Sequence, residues 1–185
     1  VPINVIPKLV IAAFLSAEDK RFFEHGGLDF TGIGRAAYKF ITNILNRSDR
    51  RTEGASTITQ QVAKNFLLTS DRTLERKLKE AILAIRIERA YSKDKILELY
   101  LNEIFLGLNS YGIAAAGLTY FNKELKDLSI EEIAYLAALP KAPNNYHPFR
   151  AKVKATERRD WIIGQMAENG YITGEEAAAA KKKPL

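Results

Sequence analysis

The 185-residue chain contains no cysteine, which excludes disulfide bonds and metal sites built on thiolates. It also lacks long apolar runs. The longest, Leu9 to Leu15, has seven residues, whereas a membrane-spanning helix needs about 18 or more. Runs that alternate between polar and apolar residues, as strands do, are missing, and no internal repeat is visible. These absences favour a helical chain without covalent cross-links.

The composition is that of a globular domain, with 46% hydrophobic and 27% charged residues. The length suffices for a single domain, residues 1–185, with a sizeable core. The net charge of +6 favours an anionic partner such as lipid headgroups, phosphates or nucleic acid. Because the chain begins with Val1 and ends in a lysine-rich run, we expect a piece excised from a longer, membrane-anchored protein.

Apolar spacing and capping signals predict helices over most of the chain, so the predicted fold class is mainly α. The segment from Asn46 to Glu53 is predicted to be a charged loop. The predicted helices are Lys8 to Phe23, a helix capped by Asp29 or Thr31 that runs through Ile44, one opened by Ser56 that runs through Phe66, Thr73 to Tyr91, Lys93 to Leu106, Tyr111 to Phe121, Ile130 to Leu139, Thr156 to Asn169, and one capped by Thr173 and Glu176.

The first helix carries a carboxylate on its apolar face. Ile11, Phe14, Leu15, Glu18 and Phe22 follow helical spacing and form one stripe. Burial disfavours the charged form of a carboxylate and raises its pKa, which suits proton exchange near neutral pH. Glu18 is therefore a candidate catalytic acid or base. The alternative is a structural glutamate neutralised by a nearby arginine.

The segment from Gly26 to Leu45 interleaves apolar residues with Arg35 and Lys39. This pattern suits a helix that lies in a membrane interface. Periodicity alone favours the alternative, an ordinary amphipathic helix that faces the core.

A second cluster, Gly54 to Asn65, places hydroxyl and amide groups at a predicted helix start. Free backbone N–H groups there make a natural site for phosphate or sugar, and Lys64 follows one turn after Gln60. The alternative is a simple serine or threonine cap.

A third cluster is Arg76 to Glu80. Arg76 and Glu80 share a helix face, and Glu80 lies where the helix passes from solvent into the core. A functional carboxylate held by a cation would suit this position, although a surface ion pair is the commoner case. Glu75 lies about 140° round the helix from Glu80 and ranks lower.

Two further segments are less informative by themselves. The apolar repeat from Lys93 to Glu103 is typical of a core helix, with Asn102 near its end. In the segment Leu139 to Asn145, two prolines hold a loop that presents Lys141.

Together, these segments resemble the peptidoglycan glycosyltransferases of glycosyltransferase family 51, found in class A penicillin-binding proteins. The resemblance runs from about Phe14 to Pro148. The five motifs of the family occur in order, as EDKRFFEHGG, GASTITQQVAKN, RKLKE, KDKILELYLNEIFLG and LPKAPN.

The resemblance implies a reaction and residue roles. Family members polymerise lipid II into β-1,4-linked glycan with inversion, and undecaprenyl pyrophosphate leaves. Glu18 matches the general base and Glu80 the second essential acid, whereas His25 is expected to shape its loop. The positions expected to bind substrate are Asp19, Ser56, Thr57, Gln60, Gln61, Lys64, Asn65, Arg72, Arg76, Lys77, Asn102 and Lys141.

The resemblance also implies a lysozyme-like helical lobe and a smaller, membrane-associating jaw at roughly residues 26–53. It implies no tightly bound cofactor, but a possible divalent cation, Mg²⁺ or Mn²⁺, near Glu80 at the pyrophosphate. The implied partners are lipid II, the growing glycan chain, membrane lipids, the inhibitor moenomycin and a downstream transpeptidase domain, without nucleic acid. The implied location is the outer face of the bacterial cytoplasmic membrane.

Two alternatives come from other functional classes. A lysozyme-like hydrolase or lytic transglycosylase would also use a buried acid on a helical scaffold, but it has no pyrophosphate for a cationic cluster to stabilise. A basic helical module that binds nucleic acid or membrane would explain the charge, but not a carboxylate on an apolar stripe.

Overall fold

A computed structural model describes residues 1–45, 56–67, 74–141 and 143–185 of the chain. These ranges are mainly helical and contain no strand, so the predicted fold class is confirmed. Short 3-10 helices lie at Ile3–Val5, Leu125–Asp127, Leu139–Lys141 and Pro143–Tyr146. The α-helices are α1 (Lys8–Glu18), α2 (Phe30–Leu45), α3 (Ile58–Phe66), α4 (Leu74–Ala90), α5 (Lys93–Glu103), α6 (Ile113–Phe121), α7 (Ile130–Ala138), α8 (Lys152–Glu168) and α9 (Gly174–Lys181).

The chain forms two compact units. The first combines Val1–Lys20 with Leu97–Leu185, and the second is Arg21–Ile96. The chain therefore leaves the first unit just after α1 and returns to it within α5. The segment 26–53, predicted as a jaw, falls within the second unit, and the structure describes residues 26–45 of it.

The core of the first unit is built on α1, which packs against α7 and α8. Five consecutive residues of α1, from Ala12 to Ser16, are buried, and so are six consecutive residues of α7, from Ile133 to Ala138. A helix that is buried all round belongs to the interior rather than to the surface. Both helices are rich in alanine, which lets neighbouring backbones approach closely.

Two predicted capping boxes are confirmed in the first unit. At the start of α7, the Ser129 backbone N–H donates to Glu132 Oε1 at 2.9 Å. At the start of α9, Thr173 and Glu176 bond each other's backbone N–H groups at 3.0 Å. Burial alone would raise the pKa of Glu132, but the Ser129 backbone N–H and the Lys123 ammonium lower this pKa below its usual value. These bonds satisfy the N–H groups that helix starts leave without partners.

The first predicted helix ends earlier than expected. It stops at Glu18 rather than Phe23, because Asp19 has φ −162° and ψ 73°, which cannot continue a helix. The predicted continuation of the apolar stripe to Phe22 is therefore wrong. Phe22 is buried, but it belongs to the second unit, where its ring lies beneath the Lys93 ammonium at 4.4 Å.

Other helix ends also differ from the prediction. Helix α3 begins at Ile58 with Thr57, not Ser56, as its cap. Helix α5 ends at Glu103 rather than Leu106, because the backbone turns there and reaches positive φ from Gly107 to Asn109. Helix α8 begins at Lys152 rather than Thr156. The Thr156 hydroxyl donates to the Lys152 carbonyl at 2.8 Å, a bond made inside a helix and not at its start.

In the second unit, α3 packs against α4. Asp29, one of the two predicted caps, opens α2, since its Oδ1 accepts from the Gly32 N–H at 3.0 Å. Helix α2 exposes much of its apolar surface: Phe30 is 75% and Tyr38 69% exposed, and Ile33 and Ile41 are also exposed. This exposure favours the interfacial interpretation of α2 over the core-facing one.

None of the helices in the described ranges combines the length and apolarity that crossing a membrane requires.

Gly112 offers a test of packing in the first unit. Its φ is +85°, and a Cβ at this position would collide with the Asn102 carbonyl group. We expect Gly112→Ala to lower the free energy of unfolding by more than about 2 kcal/mol, because strain and overlap add. The control is Gly164→Ala within α8, where the nearest atom is 3.5 Å away. It should raise stability by about 0.5–1 kcal/mol. Urea denaturation followed by circular dichroism measures both, and equal effects would contradict the prediction.

Candidate active site

Glu18 lies at the point where the core helix α1 ends. Its side chain is partly exposed, while its Oε1 is buried. The next residue, Asp19, is buried as well. Because Phe14, Leu15 and Ser16 of the preceding turn are buried, the helix carries the Glu18 carboxylate to the edge of the core. One oxygen of this carboxylate is buried there.

Side chains from α5 and α8 surround this end of α1 within the first unit. The Tyr100 ring packs edge-on against Phe14, with centroids 6.2 Å apart. Arg158 Nη2 donates to the Ala17 carbonyl at 3.5 Å, and its guanidinium lies over the Trp161 ring at 4.3 Å. A cation at a helix C-terminus interacts favourably with the helix dipole. The position of Glu18 is therefore held by packing and by charge.

In the second unit, the start of α3 is tied down by Thr57. Its hydroxyl accepts from the Gln60 N–H at 3.1 Å and donates to the Gly27 carbonyl at 2.7 Å. In return, Gln60 Oε1 accepts from the Thr57 N–H at 2.8 Å, which completes a capping box. The cap interpretation is thus confirmed for Thr57. Both side chains are buried, so the protein itself uses their polar groups.

The predicted binders farther along α3 are more accessible. Lys64 and Asn65 are exposed, and Gln61 is half-buried. Of the predicted residues on this helix, these are the ones whose side chains reach solvent. An anionic or sugar ligand could contact them without displacing the capping bonds at the helix start.

Glu80 is a buried carboxylate on α4, only 3% exposed. Lys77 Nζ lies 3.3 Å from Glu80 Oε1 and 3.5 Å from Ser56 Oγ. The Lys77 side chain is more than half exposed, so its ammonium group remains accessible to a ligand. The structure thus brings Ser56, Lys77 and Glu80 together. Because Glu80 is buried, it does not form the ordinary surface pair that the sequence left open.

Two other predicted candidates on α4, Arg76 and Glu75, differ in their exposure. Arg76 is buried, and its Nη2 donates to the Leu67 carbonyl at 3.5 Å. Glu75 is exposed and pairs with Lys79 at 3.3 Å. Glu75 is thus exposed whereas Glu80 is buried, and the lower rank of Glu75 as a functional acid stays a prediction.

A partly buried hydrogen-bond network in the second unit was not predicted from the sequence. Glu88 Oε1 accepts from the Thr59 hydroxyl at 2.6 Å and from the Lys93 ammonium at 2.8 Å. The same ammonium lies over the Phe22 ring. This network joins α3 and α4 to the segment that follows Glu18 and to the start of α5. No sequence pattern predicts it, because Phe22 and Thr59 are far from Glu88 and Lys93 along the chain.

His25 belongs to the loop between Phe22 and α2. Its Nδ1 accepts from the Gly27 N–H at 3.1 Å, and its ring packs edge-on against Phe22 at 5.9 Å. The Gly27 carbonyl in turn accepts from Thr57. These contacts agree with the expectation that His25 shapes this loop.

Of the three remaining predicted substrate-binding residues, the structure describes only the side chain of Asn102. Asn102, in the first unit, donates to the backbone carbonyls of Val1 and Glu98, both at 2.8 Å. Lys141 is the last residue of a 3-10 helix, and its side chain is not part of the description. Arg72 lies outside the described residues.

The divalent cation expected near Glu80 would find few protein ligands among the described residues. In the part of the chain that the structure describes, no group of three or more histidine, aspartate or glutamate side chains could hold a metal ion. Glu80 is a single carboxylate that already has Lys77 as its partner. A divalent cation here would need substrate phosphates for most of its ligands, as Mg²⁺ sites on phosphates often do.

Comparison with known proteins identifies the family. The chain matches the transglycosylase family model over residues 1–167. Penicillin-binding protein 1A of Rickettsia felis is 53% identical over 185 residues, which is 100% of this chain and 23% of that protein. Penicillin-binding protein 1F of Bacillus subtilis is 52% identical over 185 residues, again 100% of this chain and 25% of that protein.

A solved structure agrees with these matches. The crystal structure of penicillin-binding protein 1A from Haemophilus influenzae aligns with a TM-score of 0.56 and 27% identity, covering 100% of this chain and 17% of that chain. The expected lysozyme-like helical fold is thereby confirmed. The chain belongs to the transglycosylase family, and the enzyme class that this defines is that of the peptidoglycan glycosyltransferases. It spans about a quarter of the length of these curated relatives.

Glu88 offers a test of the hydrogen-bond network that joins Thr59 and Lys93. We expect Glu88→Ala to lower the free energy of unfolding by about 1.5–3 kcal/mol, because the buried Thr59 hydroxyl and the partly buried Lys93 ammonium lose their acceptor. Glu75→Ala on the same helix is the matched control, since it removes an exposed pair worth less than about 1 kcal/mol. Chemical denaturation of both variants measures the difference. A loss at Glu88 no larger than at Glu75 would show that the network contributes little.

Proposed function

We propose that the chain polymerises lipid II into β-1,4-linked glycan strands by inverting glycosyl transfer. The growing strand is the donor, lipid II is the acceptor, and undecaprenyl pyrophosphate is the leaving group. The observation that carries this proposal is the buried Glu80 with Lys77 beside it, next to Ser56. A transferase that expels pyrophosphate needs accessible cations, whereas a hydrolase that cleaves glycan has no such charge to stabilise.

Glu18 is proposed as the general base. A single displacement needs a base at the attacking hydroxyl, and Glu18 would take the proton of the acceptor's 4-hydroxyl. Its position at the end of a core helix supports this role, because the helix fixes the carboxylate while part of the side chain stays accessible. Asp19 is proposed to support Glu18.

The leaving group needs charge stabilisation more than a proton, because pyrophosphate is already a stable anion. Lys77 and Lys64 carry accessible cations in the second unit, and Arg76 adds a buried one. Charge-assisted hydrogen bonds from such groups are about twice as strong as neutral ones. A divalent cation, Mg²⁺ or Mn²⁺, would add further neutralisation, with Glu80 as its carboxylate ligand.

The enzyme is proposed to act at the outer face of the bacterial cytoplasmic membrane. The exposed apolar residues of α2 support contact with a lipid surface, where the lipid-linked substrates reside. Because the chain spans about a quarter of its curated relatives, we also propose a covalently linked transpeptidase domain downstream. Moenomycin is the inhibitor expected to bind the glycosyltransferase site of this chain.

The proposed role of Glu18 as the base can be tested by replacing it with glutamine, its isosteric amide. We expect Glu18→Gln to reduce polymerisation of labelled lipid II in detergent by at least about a thousandfold, because the amide cannot take a proton. The control Glu75→Gln should retain nearly full activity, since Glu75 is exposed and paired with Lys79. Gel separation of the glycans measures both. Ladders from Glu18→Gln would remove Glu18 as the base, and cleavage of preformed glycan by the wild type would instead support the hydrolase.

The proposed role of the Lys77 ammonium can be tested by measuring the binding of lipid II. Lys77→Ala is expected to weaken binding of lipid II by about tenfold, because it removes a charge-assisted bond to pyrophosphate. Binding of the same saccharide without pyrophosphate should change little. Lys79→Ala, which removes an exposed cation on the same helix, serves as the control. Titration by fluorescence anisotropy measures the affinities. Equal losses for both ligands would show that Lys77 does not act on the leaving group.

A further inference from the structure

Tyr100, on α5, lies against the same face of α1 that ends in Glu18. Its side chain is completely buried, and its ring packs edge-on against Phe14. Phe14 and Glu18 are four residues apart on α1 and therefore share a face. The Tyr100 side chain thus approaches the helix one turn before the proposed base.

The Tyr100 hydroxyl is buried and has no hydrogen-bond partner among the described residues. Oε1 of Glu18 is buried too. Burial, followed by the negative charges of Glu18 and Asp19, raises the pKa of Tyr100 well above its usual value. The hydroxyl therefore keeps its proton at neutral pH and is a hydrogen-bond donor near enough to two carboxylates for their charges to act on it.

Two other tyrosines of the first unit have hydroxyl groups that are hydrogen-bonded. The Tyr135 hydroxyl donates to the Tyr146 carbonyl at 2.8 Å, and the Tyr120 hydroxyl donates to the Leu106 carbonyl at 2.6 Å. A buried donor without a partner costs about 1–3 kcal/mol, which phenylalanine at position 100 would avoid. The hydroxyl of Tyr100 thus has a cost that packing alone does not explain.

We propose that Tyr100 is a positioning residue for Glu18. During the reaction its hydroxyl donates a hydrogen bond to the buried Oε1, and the other carboxylate oxygen stays available for the acceptor's hydroxyl. That oxygen takes the proton, while Tyr100 keeps its own. The inference rests on the proposed role of Glu18 as the base.

The bond would also set the protonation of Glu18. A hydrogen bond to the charged form favours that form, so Tyr100 offsets the effect of burial and keeps the carboxylate ionised. Other charged groups at this end of α1 include Asp19, beside it, Lys20, which follows, and Arg158 on α8, which bonds the Ala17 carbonyl. The buried residues of α7 are apolar except Tyr135, whose hydroxyl is already bonded.

The test is the pH dependence of polymerisation in Tyr100→Phe. Loss of the donor raises the pKa of Glu18, so we expect the acid limb of the kcat/KM profile to move up by about one pH unit. The melting temperature should stay the same or rise, because the ring packing is kept and an unpartnered hydroxyl is removed. Identical acid limbs in the wild type and the variant would overturn the inference.

Tyr135→Phe is the matched control. It removes a buried hydroxyl from the same unit, but one whose bond is to Tyr146. We expect a lower melting temperature and an unchanged acid limb. An equal shift of the acid limb in Tyr135→Phe would make the effect of Tyr100 a general consequence of perturbing the core, and would overturn its positioning role.

A second measurement does not depend on activity. Titration of the glutamate carboxyl carbons by NMR follows Glu18 directly, with its signal assigned by its absence in Glu18→Gln. The pKa of Glu18 should be higher in Tyr100→Phe than in the wild type, and equal values would overturn the inference. If the wild type makes no glycan, the proposed function fails, while this titration still tests the bond.

Asp19 is the competing partner for the hydroxyl. Tyr100→Phe should raise the pKa of Glu18 by the same amount when Asp19→Asn is also present. Loss of the shift in that background would show that the hydroxyl acts on Asp19, and would overturn the assignment to Glu18.

Discussion

Burial of α1 on nearly all sides is the constraint on which the first unit depends. The helix packs against α7 and α8 through consecutive small and apolar residues, so it cannot rotate or slide without opening voids. Its end is therefore fixed, and with it the position of Glu18. As the proposed base, a carboxylate held in this way would need no reorganisation when the substrate arrives, which is the general advantage of sites built on rigid elements.

The second unit holds its polar groups in a different way, by hydrogen bonds between segments distant in sequence. Thr57 ties the start of α3 to the loop at Gly27, and Glu88 joins Thr59 to Lys93. The polar groups of Thr57, Thr59, Glu88 and Lys93 thus have hydrogen-bond partners in other segments, and such bonds favour one arrangement of the helices. The accessible cations Lys64 and Lys77 are carried on this framework. Structural roles and the proposed ligand-binding roles are thus divided between buried and exposed residues of the same motifs.

Much of the fold followed from local patterns, and the failures have identifiable causes. The capping boxes at Ser129 and Thr173 were predicted correctly, because such caps are made within one helical turn. The first helix was predicted to continue to Phe23, because apolar spacing persists past Glu18. The backbone turns at Asp19 instead, and Phe22 is buried beneath Lys93. Periodicity could not reveal this contact, since Lys93 lies some seventy residues away.

The sequence by itself determined the helical class, most helix positions, the family and the candidate base, because short-range spacing and ordered motifs encode them. Only the tertiary structure decided which polar groups are used internally. It buried Thr57, Gln60 and Glu80, bonded the Thr57 hydroxyl to the Gly27 carbonyl, and set the Tyr100 ring against the helix face that ends in Glu18. The physical reason is that burial and long-range hydrogen bonds depend on which distant segments meet, and spacing along one helix carries no record of that.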